Sequence, residues 1–298
     1  MTRAMILCAG LGNRLRPLTA ELPKPLVPIG DRSVLSHITR QLRRSGYTSA
    51  VANTHWLYDS FNCVIKDLEV TLTLIHEPII RGVAGAVAGA RQLLEVPLLV
   101  WNGDVLLAEP PLEALTSRVA VSGGICLAVA PTAGPGTVGL DADGRVVRVR
   151  GEAHGREVRS GDYVGVFALG QVALRELPDD GCLIGDYCLP RLRRGEPVDT
   201  CPVVGQWWDV GSLDSYLAAN RAWLDQHPSA AGGSFVAGSA QVDPEVTLLH
   251  TIVGENARLE GSGLVEDCVL WPGSVARAPL SRCVVTPRGL VPVGPASV

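Results

Sequence analysis

Residues 4–9, AMILCA, form an unbroken apolar run that suits a strand buried on both faces of a sheet. Over 33–46 the spacing changes to that of a helix. Ser33 stands where a cap belongs, Val34, Leu35, Ile38 and Leu42 share one face, and Gly46 provides the stop. TSAVAN (48–53) and VTLTLI (70–75) read as further strands, 84–94 as a helix rich in Ala, Val and Leu, and PLLVW (97–101) as a fourth strand. Strands alternating with helices predict a mainly parallel α/β sheet covered on both faces. The first strand runs straight into a glycine turn, the position where open sheets of this kind bind ligands.

The pattern changes from residue 119. GGICLAVA and GDYVGVFAL (161–169) read as strands, and LDADGRVVRVRG as a hairpin turning at Asp143-Gly144. CLIGDYCLPRLRRG (182–195) reads as a short helix ended by Gly195, and 207–226 as a turn followed by a helix from Leu213. His227, Pro228 and SAAGGS (229–234) read as a linker, which predicts two domains, 1–228 and 229–298. Beyond it apolar positions recur every six residues (Val236, Val242, Leu248; Val253, Leu259; Leu264, Leu270), with steps of five at 248–253 and 259–264. Six fits neither helix nor simple strand alternation. It matches hexapeptide β-helix repeats, of which this tail could supply about three coils; a small antiparallel β appendage is the alternative.

Composition narrows the function. The formal charge is −4, from 26 basic and 30 acidic residues, which argues against nucleic-acid binding through a basic surface. Hydrophobic residues make up 47% and mean hydropathy is +0.22, so a disordered chain is excluded. No apolar run reaches the ~18 residues of a membrane span, and no charged start leads into a cleavable apolar segment. The eight cysteines are scattered without a C-x-x-C pair, so zinc-ribbon spacing is absent and buried thiols are expected. A reduced, cytoplasmic setting without membrane or nucleic-acid partners is the expectation.

The chemistry-bearing stretch is 6–30, ILCAGLGNRLRPLTAELPKPLVPIG. Gly10 and Gly12 let the backbone turn and approach a ligand with no Cβ in the way, and bare amides in such a turn bind phosphate oxygens. No G-K-[ST] follows, so this is not a Walker motif, and the third glycine of a dinucleotide fingerprint is missing. Arg14 offers a planar fork of donors to terminal phosphates; Arg16 does the same or makes a structural ion pair. Lys24 is one of only two lysines in the chain and lies between Pro23 and Pro25, which stiffen the loop. A point charge held in this way suits an α-phosphate, where charge grows during attack.

Leu7, Ala9, Gly10, Gly12, Arg14, Leu15, Pro17, Thr19, Pro23, Lys24 and Pro25 reproduce a signature that resembles that of the sugar-1-phosphate nucleotidylyltransferases, L-x-A-G-x-G-x-R-L-x-P-x-T-x-x-x-P-K-P. The chain looks most like the mannose-1-phosphate guanylyltransferase and N-acetylmuramate-1-phosphate uridylyltransferase group. The resemblance implies a Rossmann-like α/β catalytic domain with a short left-handed β-helix tail. It also implies roles for further residues. Asp104 in VWNGDVLL resembles the family's metal-binding aspartate, with Asn102 facing nucleotide or sugar. Asp209 in Trp207-Trp208-Asp209-Val210-Gly211-Ser212 resembles the second Mg²⁺ ligand. Glu77, Gly82, Ala84 and Gly85 align with the base-contacting segment, although Arg81 and Val83 replace its usual leucine and threonine. Gly165 resembles the glycine on which the sugar ring lies, and Glu152 falls where relatives place a glutamate for sugar hydroxyls. Ala153 stands where relatives often have a lysine on the sugar phosphate, so Arg148, Arg150 or Arg159 takes over that role or the acceptor is unusual.

The implied reaction is NTP plus sugar-1-phosphate giving NDP-sugar and pyrophosphate. Catalysis would come from positioning and charge neutralisation around one triphosphate, by Lys24, Arg14 and Mg²⁺ on Asp104 and Asp209. GTP with a mannose- or heptose-type acceptor is the first expectation. A cytidylyltransferase for a non-sugar phosphate or phosphonate and a non-catalytic, nucleotide-sugar-binding relative are the alternatives. A β-helix acyltransferase is disfavoured, because it needs a longer prism and a catalytic histidine, and His250 is the tail's only one. The tail is expected to serve packing or a homo-oligomer contact.

Overall fold

A computed structural model describes residues 2–227 and 233–294. The linker expected at 229–234 therefore lies mostly outside the described residues. Two compact units emerge. One comprises Met1–Leu11 and Ser36–Trp207; the other comprises Gly12–Leu35 and Trp208–Val298.

The first unit is built on a ten-stranded mixed sheet. Thr2–Leu7 lies between Leu94–Asn102 and Ser49–Thr54, and Thr71–His76 follows at the edge, all parallel. On the other side of Leu94–Asn102, Arg159–Leu169 runs antiparallel to it and pairs in turn with Ile125–Pro131 and Val138–Leu140. The apolar run at the chain start is buried as expected: Ala4, Met5 and Ile6 are all inaccessible. The hairpin expected around Asp143-Gly144 joins Val138–Leu140 to Val146–Val149, with Gly144 at φ 79°.

Several elements escaped the hydrophobic pattern, among them Gln171–Glu176 and Asp199–Pro202. Val105–Glu109 forms a strand, and Leu112–Ser122 a helix. The helix has its own signal: Leu112, Leu115 and Val119 are buried on one face, and Gly123 ends it in the left-handed region at φ 67°. The segment read as one helix over 182–195 is a single π-type turn, Leu183–Cys188, continued by Leu189–Arg193.

The second unit brings residues from both ends of the chain together. Residues 13–26 form three consecutive 3₁₀ turns, Asn13–Leu15, Leu18–Ala20 and Lys24–Leu26, where a plain stiff loop is the expectation. The helix Leu213–Gln226 carries Tyr216, whose hydroxyl donates to the Pro28 carbonyl (2.8 Å) and accepts from Trp271 Nε1 (2.9 Å). Asn220 Oδ1 accepts from the Gly30 N–H at 2.9 Å. The tail is a stack of parallel strands in which Phe235 pairs with Ile252, Val242 with Leu259, Leu248 with Val265 and Val253 with Leu270. Each partner lies one 17-residue turn further on, so two steps of six and one of five stack apolar side chains on each other. Val253, Leu259, Val265 and Leu270 share the tail's core with Cys268, Cys283 and Val285. This arrangement is consistent with a β-helix. Gly289–Pro292 returns antiparallel and closes the last edge.

Candidate active site

The candidate residues fall on both units, and each set has its own geometry. In the first unit Leu7, Ala9, Gly10, Glu77, Asn102 and Asp104 lie at or just beyond the carboxyl ends of the parallel strands, the edge where such sheets bind ligands; Gly165 lies in the antiparallel strand Arg159–Leu169, and Glu152 lies on the edge strand Glu152–Ala153, three strands beyond it. Leu7 ends the first strand, and its carbonyl accepts from the Gly103 N–H at 2.9 Å. The next amide, Cys8, donates to Asn53 Oδ1 (2.9 Å), and Asn53 Nδ2 donates to Glu77 Oε1 (3.0 Å). His55 Nδ1 donates to the Glu77 carbonyl at 2.7 Å. Three neighbouring strand ends are thus tied through Asn53, and Glu77 is buried at 8% exposure. Its second oxygen, Oε2, is buried without a hydrogen-bond partner. Burial pushes the Cys8 thiol well up, and the nearby Asp104 carboxylate adds to the effect, so Cys8 is a packing residue, not a nucleophile.

Ala9 is buried and Gly10 is exposed; a Cβ built on Gly10 meets no atom within 4 Å. The space above this turn is therefore open to a ligand. Gly82 and Gly85 have a different reason to be glycine. A Cβ on Gly82 (φ 72°) would lie 2.4 Å from the Gly181 carbonyl, and one on Gly85 2.8 Å from the Asp179 carbonyl. Both let the helix Gly82–Gly89 press on the 179–182 backbone.

Asn102 ends the strand Leu94–Asn102, and Asp104 follows in the turn. A Cβ on Gly165 (φ 79°) would sit 2.5 Å from Asn102 Nδ2, so the amide lies against the bare glycine. Asn102 Oδ1 is buried without a partner. Glu152 is engaged by Arg193 in a bidentate pair (2.6 and 3.0 Å), which holds its carboxyl below the usual range. The three arginines that could stand in for the missing lysine differ in their engagements. Arg148 is held by Glu157 at 2.7 and 3.1 Å. Arg159 reaches over the Gly144 turn. Arg150, at φ 50°, donates to the Cys182 thiol at 3.4 Å, and its guanidinium covers Gly185.

The second unit holds Gly12, Arg14, Lys24 and Asp209. Gly12 sits at φ 64°, where a Cβ would lie 2.6 Å from Thr19 Cγ2, and Thr19 Oγ1 donates to the Gly12 carbonyl at 2.8 Å. That bond folds the phosphate-type segment back on itself and presents Arg14, whose side chain is 74% exposed. Lys24 is nearly buried. Its Nζ is 3.5 Å from Asp209 Oδ1, and Arg14 Nη2 is 3.7 Å from Asp209 Oδ2. Asp209 thus stands between two cations, at separations longer than direct charge-assisted hydrogen bonds. A Cβ on Gly211 would come within 2.7 Å of the Asp209 carboxylate. The following turn is fixed by a capping box: Ser212 Oγ accepts from the Ser215 N–H (3.2 Å), and Ser215 Oγ accepts from the N–H groups of Ser212 (2.9 Å) and Gly211 (3.0 Å).

Residue types point to Lys24, and the family resemblance points to both aspartates. Neither points to Asn53. It gives one weak signal, as the polar last residue of an apolar strand.

The chain matches the nucleotidyl transferase family model over residues 3–226. It is 26% identical to mannose-1-phosphate guanylyltransferase 1 of Arabidopsis thaliana, with 95% of this chain and 81% of that protein covered. It is also 26% identical to a mannose-1-phosphate guanyltransferase of Schizosaccharomyces pombe, covering 83% and 72%. Among solved structures, HddC from Yersinia pseudotuberculosis complexed with GMP-PN superposes with a TM-score of 0.63 at 22% identity, over 75% of this chain and 100% of that one. The chain belongs to the nucleotidyl transferase family. With the motif of residues 6–30, these relatives put it among the sugar-1-phosphate nucleotidylyltransferases.

Proposed function

We propose that this enzyme transfers a guanylyl group from GTP to a mannose- or heptose-type sugar-1-phosphate. The observation that carries the choice of base is the open Glu77 oxygen. A buried oxygen without a partner is destabilising by about 1–3 kcal/mol, and a base offering donors relieves that. Guanine presents N1–H and the N2 amino group side by side, a match for a carboxyl. Uracil and thymine present one N–H flanked by two carbonyls, which a carboxyl repels. The named guanylyltransferase relatives support the same choice.

In the reaction an acceptor phosphate oxygen forms a bond to the α-phosphorus of GTP, and the bond from that phosphorus to the bridging oxygen of pyrophosphate breaks. Lys24 offsets charge that grows on the α-phosphate, and Arg14 holds the departing pyrophosphate. Arg150 or Arg159, neither of which is held by a carboxylate among the described residues as Arg148 is by Glu157, meets the acceptor phosphate. The residues suit Mg²⁺: Asp104 and Asp209 each offer hard oxygens, and Lys24 Nζ and Arg14 Nη2 stand 3.5 and 3.7 Å from the Asp209 carboxylate, beyond direct charge-assisted hydrogen-bond distance. When bound, Mg²⁺ supplies Lewis-acid charge neutralisation on phosphate oxygens.

The test sets four NTPs with Mg²⁺ against a panel of sugar-1-phosphates and reads pyrophosphate release. GTP with a mannose- or heptose-type acceptor should turn over fastest. Glu77→Gln keeps an acceptor for Asn53 but puts an amide where guanine donates, and should lower kcat/KM for GTP about 10- to 100-fold. An unchanged base preference would remove Glu77 from the reading.

A further inference from the structure

All eight cysteines are free thiols. Two pairs bring their sulfurs together: Cys126 and Cys201 at 3.5 Å, and Cys268 and Cys283 at 3.4 Å. Strand register tells the two pairs apart. Cys126 stands opposite Asp199 and Cys201 opposite Ala128, so these cysteines are out of step along their strands. Two residues along and one strand across put their Cα atoms roughly 8 Å apart, beyond the ~7 Å that a disulfide bridges without backbone movement. Cys268 and Cys283 are direct partners in the ladder between Arg258–Leu270 and Val275–Thr286. Neighbouring strands hold such partners about 4.8 Å apart, inside the range that disulfides adopt. Both side chains belong to one core with Val253, Leu259 and Val285.

The two thiols differ in surroundings. Cys268 forms part of the wall of a cavity of about 510 Å³, with Asn220, Arg221, His250, Asp267 and Arg282. Cys283 lies between Cys268 and Pro292 of the returning strand Gly289–Pro292. The hydrogen bond between the sulfurs lowers the Cys268 thiol, against burial and the Asp267 carboxylate, and raises the Cys283 thiol, with burial adding to the rise. Cys268 is therefore the better nucleophile of the pair. Both are buried, so local opening at the cavity favours a small oxidant over a bulky one.

We propose that Cys268 and Cys283 form a dithiol that hydrogen peroxide oxidises to a disulfide, stapling the last two coils of the tail together. The Cys268 thiolate attacks one peroxide oxygen and the O–O bond breaks. The sulfur becomes a sulfenic acid, and the other oxygen takes up a proton and leaves as water. The Cys283 sulfur then bonds to Cys268 and displaces its hydroxyl, which takes the Cys283 proton and leaves as a second water. Two thiols are oxidised, and one peroxide is reduced to two waters. The bridged strand runs on to Thr286, whose hydroxyl donates to Glu21, so the staple stiffens a segment that touches the 12–35 stretch. The proposal stands apart from the choice of base or acceptor.

The test exposes the reduced, full-length, folded protein to a small molar excess of hydrogen peroxide, alkylates the remaining thiols and digests without reductant. Trypsin separates Cys268 (259–277) from Cys283 (283–288). A disulfide therefore appears as one linked species, two hydrogens lighter than the two peptides together. It should form in most of the protein and disappear with dithiothreitol. A link between residues 15 apart restricts the unfolded chain, so the oxidised protein should melt a few degrees higher than the reduced one. Cys283→Ser should yield no linked species, leave Cys268 as a sulfenic acid that dimedone captures, and show no such rise. Alkylated Cys268 and Cys283 after peroxide, or a link between Cys126 and Cys201 in place of theirs, would overturn the proposal. So would an oxidised wild type that melts below the reduced protein.

Discussion

Lys24 concentrates the residue-scale chemistry. Its side chain is 10% exposed, in a 3₁₀ turn that opens with Lys24-Pro25, with Asp209 at 3.5 Å. A charge held so firmly needs little reorganisation when charge develops on a phosphate, which is where electrostatic catalysis gains most. Lys24→Ala should therefore lower kcat about 100-fold, close to 3 kcal/mol at the transition state, with a much smaller change in KM for the nucleotide. Single-turnover pyrophosphate release checks this, and unchanged turnover would remove Lys24 from the chemistry. Lys24 could be picked out from sequence because a charge clamped between two prolines has few other reasons to be there, and Asp104 and Asp209 through the motifs they share with the family. Asn53 could not. It sits in an apolar run where its type reads as packing, and only the folded neighbourhood shows how its polar atoms are paired. Glu77 lies between these cases: its place after a strand was readable, its open oxygen was not.

At the scale of elements, the capping box at Ser212 links local stability to the site. Ser215 Oγ accepts from the amides of both Gly211 and Ser212, so the cap that starts the helix Leu213–Gln226 also fixes the turn following Asp209. Ser212→Ala should destabilise the protein by about 1 kcal/mol, a drop in Tm of a few degrees at this chain length. Calorimetry measures the drop, and a Tm equal to wild type would show that the cap is dispensable. The alternating strands and helices of 4–101 were readable because each has one dominant period. The helix Leu112–Ser122 was missed because its apolar stripe is interrupted by Thr116 and Arg118 and follows two prolines. In the tail, the five-residue steps looked like flaws in a repeat of six. Paired strands show that these steps set a 17-residue turn and keep Val253, Leu259 and Leu270 in one core.

At the scale of the molecule, chain order and spatial order part company. Residues 12–35 belong to the same unit as the tail, although more than 170 residues intervene, and no local pattern could reveal this. The joint is specific. Tyr216 ties Pro28 to Trp271, Arg288 Nη1 donates to the Ala20 carbonyl at 3.2 Å, and the Thr286 hydroxyl donates to Glu21. Ala20 and Glu21 immediately precede the Leu22-Pro23-Lys24 approach to the lysine. A chain ending at His227 would keep every residue of the family match and every candidate site residue, yet it would leave the Tyr216 hydroxyl without Trp271 and the 12–35 segment without Arg288 and Thr286. Each such hydrogen bond contributes about 0.5–1.5 kcal/mol, and their loss is concentrated on the loop that carries Arg14 and Lys24. Such a truncated chain should lose at least about tenfold in turnover, and limited proteolysis should cut within 12–35 faster than in the full chain. Its parallel sheet should keep slow amide exchange, because its ladders lie wholly within the other unit. Wild-type turnover by the truncated chain would show that the tail does not brace the catalytic loop.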